Sequence, residues 1–242
     1  MRYRREIDGL RALAVVPVIL FHAGFSTFSG GFVGVDVFFV ISGYLITTII
    51  VDELGKGSFT LLNFYERRAR RILPALFFVM LFTLPFAWFW MLPPDLKSFS
   101  QSLVSVALFA SNLFFGLKSG YFDTTTELKP LLHTWSLAVE EQYYILFPVF
   151  LMLAWKFGKK WIISMLVMVG IISVLAAQWG STTYPSYNFF FLPTRGFEIL
   201  IGALISFIIN HKYAIISVSQ SASQPVSQFS WFSTCSLRNI CV

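Results

Sequence analysis

Long apolar stretches separated by short polar joints run through most of this chain, and several are close to a bilayer in length. Ala12 to Val35, Val37 to Val51, Ile72 to Pro94, Ser98 to Leu117 and Trp161 to Pro193 hold no acidic or basic residue other than His22. About 20 such residues cross the hydrocarbon core as a helix. Adding Leu132 to Trp155 and Gly196 to Asn210 predicts an all-α, polytopic transmembrane helical bundle of about seven membrane helices. Residues 1–210 form the transmembrane domain in this reading. Residues 211–242 form a polar tail expected to be disordered, because Ser217 to Ser236 is rich in serine and glutamine and poor in long apolar runs.

Composition agrees, with 56% hydrophobic and 12% charged residues and a mean hydropathy of +0.71. The net charge of +6 suggests nucleic acid until the cations are placed. Arg2, Arg4 and Arg5, then Lys56, Arg67, Arg68, Arg70 and Arg71, sit at the ends of apolar runs, which marks these ends as cytoplasmic and excludes a nucleic-acid reading. A cleaved signal peptide does not fit: the first run is too long, lacks a small-residue cleavage site and is followed at once by a second. Cys235 and Cys241 lie in the tail, so the membrane region has no thiolate or metal cluster to offer. One conflict remains in the topology. Seven crossings from a cytoplasmic N-terminus put Lys156, Lys159 and Lys160 outside, so either a run between Ile72 and Trp155 re-enters or the positive-inside bias is overridden.

Ionisable residues inside such runs are the candidate chemistry. Arg11 and His22 are eleven residues apart, about three whole helical turns, and so share one face. Their axial separation of about 16 Å would set Arg11 at the cytosolic rim and His22 near mid-membrane. His133 and Glu140, about two turns apart, also face one way, and Glu140 with Glu141 must find cations, water or protons. Asp36 opens the second apolar run, either capping its helix or acting near His22. Arg195 and Glu198 form an i, i+3 pair at the start of the last run. The arginines after Tyr65 read either as a topology signal or as an anion site whose guanidinium forks bind phosphate bidentately. Ser136 with His133 and Glu140 makes a poor hydrolase triad, since three groups on one helix rarely converge on a reacting atom.

Taken in order, Arg5-Glu6-Ile7-Asp8-Gly9-Leu10-Arg11-Ala12, His22, the segment from Gly30 to Ile46 with Ser42 and Tyr44, Phe64-Tyr65-Glu66-Arg67-Arg68-Ala69-Arg70-Arg71-Ile72-Leu73-Pro74 and Trp135-Ser136-Leu137-Ala138-Val139-Glu140-Glu141-Gln142 closely resemble the acyltransferase-3 family. These are integral-membrane O-acyltransferases that modify bacterial surface polysaccharides. The resemblance spans about residues 1 to 210. It implies transfer of an acyl group, usually acetyl, from cytoplasmic acyl-CoA to a sugar hydroxyl of lipopolysaccharide O-antigen or a related glycan, in the bacterial inner membrane with the N-terminus cytoplasmic. No cofactor is bound in that scheme; acyl-CoA is the donor substrate.

On the matching positions, Arg11 and His22 take the family's basic-then-histidine motif. The arginine pair falls on Arg67 with Arg70 or on Arg68 with Arg71. Glu140 and Glu141 take the acidic pair, and Arg195 with Glu198 a later membrane-entry motif. In the implied mechanism His22 is the general base, with an acyl-histidine as variant. Arg11 and the Arg67 to Arg71 cluster hold the coenzyme's phosphates, and Glu140, Glu141 and Asp36 complete the catalytic set. Ser42, Tyr44, His133, Arg195 and Glu198 serve substrate or structure. Family members typically continue with further membrane helices, so the polar tail makes the chain look truncated or frameshifted after about Asn210. The rival readings are an ion- or proton-coupled transporter with His22, Asp36 and Glu140 as relay, and an inactive remnant.

Overall fold

The computed structural model describes residues 5–118 and 129–222. Its helices are α1 (Arg5–His22), α2 (Gly34–Gly55), α3 (Leu61–Trp90), α4 (Pro93–Ala107), α5 (Ser111–Lys118), α6 (Thr134–Ala154), α7 (Lys159–Thr183), α8 (Pro185–Phe190) and α9 (Leu192–Ala222). Lipid supplies no partner for a backbone N–H or C=O, so apolar sequence of this kind satisfies them within helices. The described residues divide into two compact units, one ending at Phe207 and a second beginning at Ile208. α9 continues as helix through Ala222; Cys235, Cys241 and most of the serine-rich tail lie outside the described residues.

Helix α6 is the centre of the first unit because it carries a stripe at intervals of four residues, Trp135, Val139, Tyr143, Phe147 and Leu151, all buried. Phe78, Phe82, Phe86 and Trp90 make a similar ladder along α3 but are exposed, the pattern of a lipid-facing stripe.

Contacting pairs fix the helix directions. Phe39 meets Trp135 and Ser42 lies beside Glu140, so α2 and α6 run parallel. Arg195 meets Asp36 and the Thr48 and Ser206 hydroxyls are 2.8 Å apart, so α9 runs parallel to them. Helix α1 is antiparallel to α2, with Pro17 against Gly31 and Arg11 over the Phe38 ring. Tyr65 donates to the Ile145 carbonyl and Arg68 lies over the Tyr144 ring and near Glu141, so α3 is antiparallel to α6. Helix α3 therefore ends where α6 begins. The chain leaves α3 and enters α6 at the same end of the bundle.

That resolves the topology conflict in favour of re-entry. The Ser98 to Leu117 run, expected as a span, is cut into α4 and α5. At the cut Phe109 takes φ +51°, its N–H donates to the Val106 carbonyl, and the Ala110 N–H donates to the Ser105 carbonyl at 2.8 Å. This is a Schellman ending with phenylalanine in the left-handed position usually given to glycine. Gly57 fills the same position after α2, at φ +67°. With α3 ending and α6 beginning on the same side, Lys156, Lys159 and Lys160 join Lys56 and Arg67 to Arg71 at one end of the bundle.

The expected count of seven also changes. Among the described residues, five helical segments are long and apolar enough to span, Gly31–Gly55, Leu61–Trp90, Thr134–Phe157, Lys159–Thr183 and Pro185–Ile209. The Ala12 to Val35 run is not one span: α1 stops at His22, after which the chain turns through two short 3-10 segments, Ser26–Phe28 and Gly31–Val33.

Packing of α2 on α9 is glycine-dependent. A Cβ on Gly43 would meet the Ile199 backbone carbonyl, and one on Gly202 would meet the Val40 carbonyl. The two backbones thus approach as closely as small residues permit.

Candidate active site

The eleven-residue spacing on α1 and the seven-residue spacing on α6 meet each other. Arg11 lies near enough for its charge to act on Glu140, and His22 near enough to act on His133. Depth is the reverse of expectation. Arg11 is the interior member, level with Phe38, while His22 is the last residue of α1 and exposed. The reason is the glycine-rich turn, which starts α2 sooner than an unbroken span through Val35 would allow.

His22 Nδ1 stands 2.8 Å from the Val18 carbonyl oxygen. A carbonyl only accepts, so Nδ1 carries the proton and Nε2 the lone pair of the neutral ring. That tautomer is the one a general base needs. Around His133, crowding by protein atoms holds the imidazole below its ordinary pKa. A hydrogen bond with the Pro130 backbone raises it, and a proton taken up by the nearby His22 ring lowers it again.

Glu140 is buried, and its Oε2 faces the Tyr144 hydroxyl at 3.5 Å, the long limit of a hydrogen bond. Ser42, also buried, lies beside it on α2. One oxygen each of Glu140 and Glu141 is buried with no hydrogen-bond partner among the described residues. Such atoms mark a place where a ligand, water or proton belongs.

The arginine cluster is sorted by helix face. Arg67 spans to Glu53 at 2.8 and 3.0 Å and Arg70 to Glu66 at 2.6 Å, both on the surface. Arg68 turns inward, over the Phe64 and Tyr144 rings and toward Glu141. Arg71 is exposed one turn further on. Of the two pairings left open, only Arg68 with Arg71 contains the arginine that turns inward.

Asp36 sits in the first turn of α2, not at its cap, and is engaged by Arg195. Arg195 Nη1 donates to Asp36 Oδ1 at 3.0 Å and to Glu198 Oε1 at 2.8 Å; its Nε donates to the Phe189 carbonyl at 3.1 Å. This clamp ties α2 to α9 through Asp36, Arg195 and Glu198. Tyr44 contributes backbone to the same interface: its carbonyl accepts from Thr48, and its N–H faces the Gly202 position.

Two groups escaped the sequence reading. Tyr144 is one turn after Glu140, a spacing that could have revealed it. Gln142 pairs reciprocally with Asn112 at 2.8 and 3.2 Å and donates to the Phe109 carbonyl at 3.0 Å, holding the α4–α5 break in place. No local signal exposes a partner 30 residues away. Among the described residues no three His, Cys, Asp or Glu side chains are grouped to hold a metal ion.

A family model for an acyltransferase domain, that of the acyltransferase-3 family, matches residues 4–219. The peptidoglycan O-acetyltransferase OatA of Listeria monocytogenes is 37% identical over 214 residues, covering 86% of this chain and 34% of that protein. The O-acetyltransferase OatA of Staphylococcus aureus (strain NCTC 8325 / PS 47) is 36% identical over 211 residues, covering 86% of this chain and 35% of its own. The chain thus spans about a third of the length of the curated relatives it matches. The Listeria relative is named for peptidoglycan, not for the lipopolysaccharide O-antigen expected above. No solved structure matches. On a match covering nearly all of the described bundle, the chain belongs to the acyltransferase-3 family of membrane O-acyltransferases.

Proposed function

We propose that this chain supplies the transmembrane site of an O-acetyltransferase that moves an acetyl group from cytoplasmic acetyl-CoA to a hydroxyl of cell-wall glycan, in the bacterial plasma membrane. The observation that carries it is the opposed α1 and α6 faces, with Arg11 and Glu140 inside and His22 and His133 at one end. The cationic end, with Arg67 to Arg71 and Lys156 to Lys160, is taken as cytoplasmic, and the N-terminus with it.

In this reading Arg68, Arg71 and Arg11 draw the coenzyme's phosphates into the cationic end. The pantetheine arm extends along α1, bringing the thioester toward His22. Nε2 of His22 accepts the proton of the sugar hydroxyl as that oxygen bonds to the thioester carbonyl carbon. The C–S bond then breaks, and the thiolate leaves to take up a proton. Glu140 and Glu141, one oxygen of each still available, steady the cations that handle the phosphates.

Inverted vesicles containing the chain and given radiolabelled acetyl-CoA test this. Label is expected on glycan with the wild-type chain and at least about a hundredfold less with His22→Ala at equal membrane insertion. Full labelling by His22→Ala overturns the assignment.

A further inference from the structure

At the end of the bundle opposite the arginine cluster, a cavity of about 410 Å³ opens between the end of α3, helices α4 and α5, and the turn before α6. Its size lies in the range of small-molecule sites. Trp90 stands at the mouth and Phe99 and Phe115 are buried in the wall, while Asp95, Ser98 and Lys129 add polar groups. Ser102, 4% exposed, donates its hydroxyl to the Phe99 carbonyl at 2.7 Å and so offers the cavity only lone pairs. Pro130, also on the wall, hydrogen-bonds His133 through its backbone, and His133 lies within electrostatic reach of His22.

We infer that this cavity binds the acceptor saccharide, seating a pyranose ring against the aromatic wall and presenting the next sugar's hydroxyl toward His22. The inference rests on the proposed acetyl transfer and names where its acceptor sits. A pyranose has an apolar C–H face for aromatic rings and a rim of hydroxyls for a few polar groups, which is the inventory found here. An acid and a base together on the lining leave no net charge, which favours a neutral sugar over an anionic lipid headgroup. The re-entrant α4–α5 segment explains why the cavity exists: a continuous span would have no open elbow on this side.

The test is equilibrium binding of tritiated β-1,4-linked tri-N-acetylglucosamine to the 242-residue chain in phosphatidylcholine nanodiscs. Saturable binding is expected, weakened about tenfold by Asp95→Asn, the loss of one charge-assisted hydrogen bond. Ser98→Trp, which fills the mouth, should weaken it at least as much. His22→Ala should still bind, which separates this site from the transfer step; failure of acetyl transfer with binding intact would count against the proposed function alone. Nanodiscs with added phosphatidylglycerol should give the same affinity. Absence of saturable binding, equal binding by wild type and both cavity variants, or displacement by phosphatidylglycerol overturns the inference.

Discussion

Arg195 and Asp36 are 159 residues apart in the chain and 3.0 Å apart in the fold, joined through Nη1 and Oδ1. The same nitrogen holds Glu198, whose side chain is 6% exposed, so removing the guanidinium strands two carboxylates at once. Arg195→Ala is expected to cost about 3 kcal/mol or more, since a buried ion loses its counter-charge. Asp36→Asn keeps an acceptor and costs less. Thermal unfolding in detergent decides it: an unchanged midpoint for Arg195→Ala would show that the clamp contributes nothing.

Close approach of α2 and α9 yields a contrast between glycines. Gly43→Ala and Gly202→Ala each drive a methyl into a facing backbone carbonyl, which can yield only by moving a helix. Each is expected to destabilise by about 1–3 kcal/mol. Gly9→Ala meets nothing within 4 Å and lies inside α1, so it should be neutral or stabilising by up to about 1 kcal/mol. Chemical unfolding of the three variants in one detergent provides the comparison.

Gln142→Leu should loosen the elbow without touching the carboxylates. The variant removes the donor to the Phe109 carbonyl and orphans the buried Asn112 amide from its side-chain partner, at a cost of about 1–3 kcal/mol. Hydrogen exchange of residues 105–112 should rise more than that of α2. Uniform exchange across both would refute a local latch.

Much of this was legible from spacing alone. Eleven residues between Arg11 and His22, and seven between His133 and Glu140, correctly assigned faces, because a helix converts sequence interval into angle. Depth was not legible, since the turn after His22 is set by glycines packing on Pro17 and Ala14, a tertiary event. Nor was the break at Phe109: an apolar residue in a left-handed conformation carries no sequence warning, and its support comes from Gln142. Asp36 was ambiguous for the same reason, its partner lying 159 residues away.

His133 makes stability depend on pH in a definite direction. Its pKa in the folded chain is held below the ordinary 6.5, chiefly by crowding, so the unfolded chain binds the proton more readily. The contribution is fully present above pH 6.5 and is lost as pH falls through the lowered folded value. Relative to His133→Gln, the wild-type unfolding midpoint should therefore be less favourable at pH 5 than at pH 7.5. A pH-independent difference would mean that the ring titrates alike in both states.

Arg68 and Arg70 are two residues apart, yet they should differ sharply toward the donor. Arg70 is exposed and satisfied by Glu66 one turn earlier, an arrangement worth a few tenths of a kcal/mol on a helix surface. Arg68 points inward between the Tyr144 ring and Glu141, where a coenzyme phosphate could displace the carboxylate. Under the proposed function, Arg68→Lys keeps charge but loses the bidentate fork, and is expected to raise KM for acetyl-CoA about tenfold with kcat little changed. Arg70→Lys should leave both constants near wild type. Initial rates of label transfer at varied acetyl-CoA separate the two: a fall in kcat alone for Arg68→Lys would move that residue from holding the donor to positioning Glu141, and equal effects at both positions would return the cluster to a topology signal.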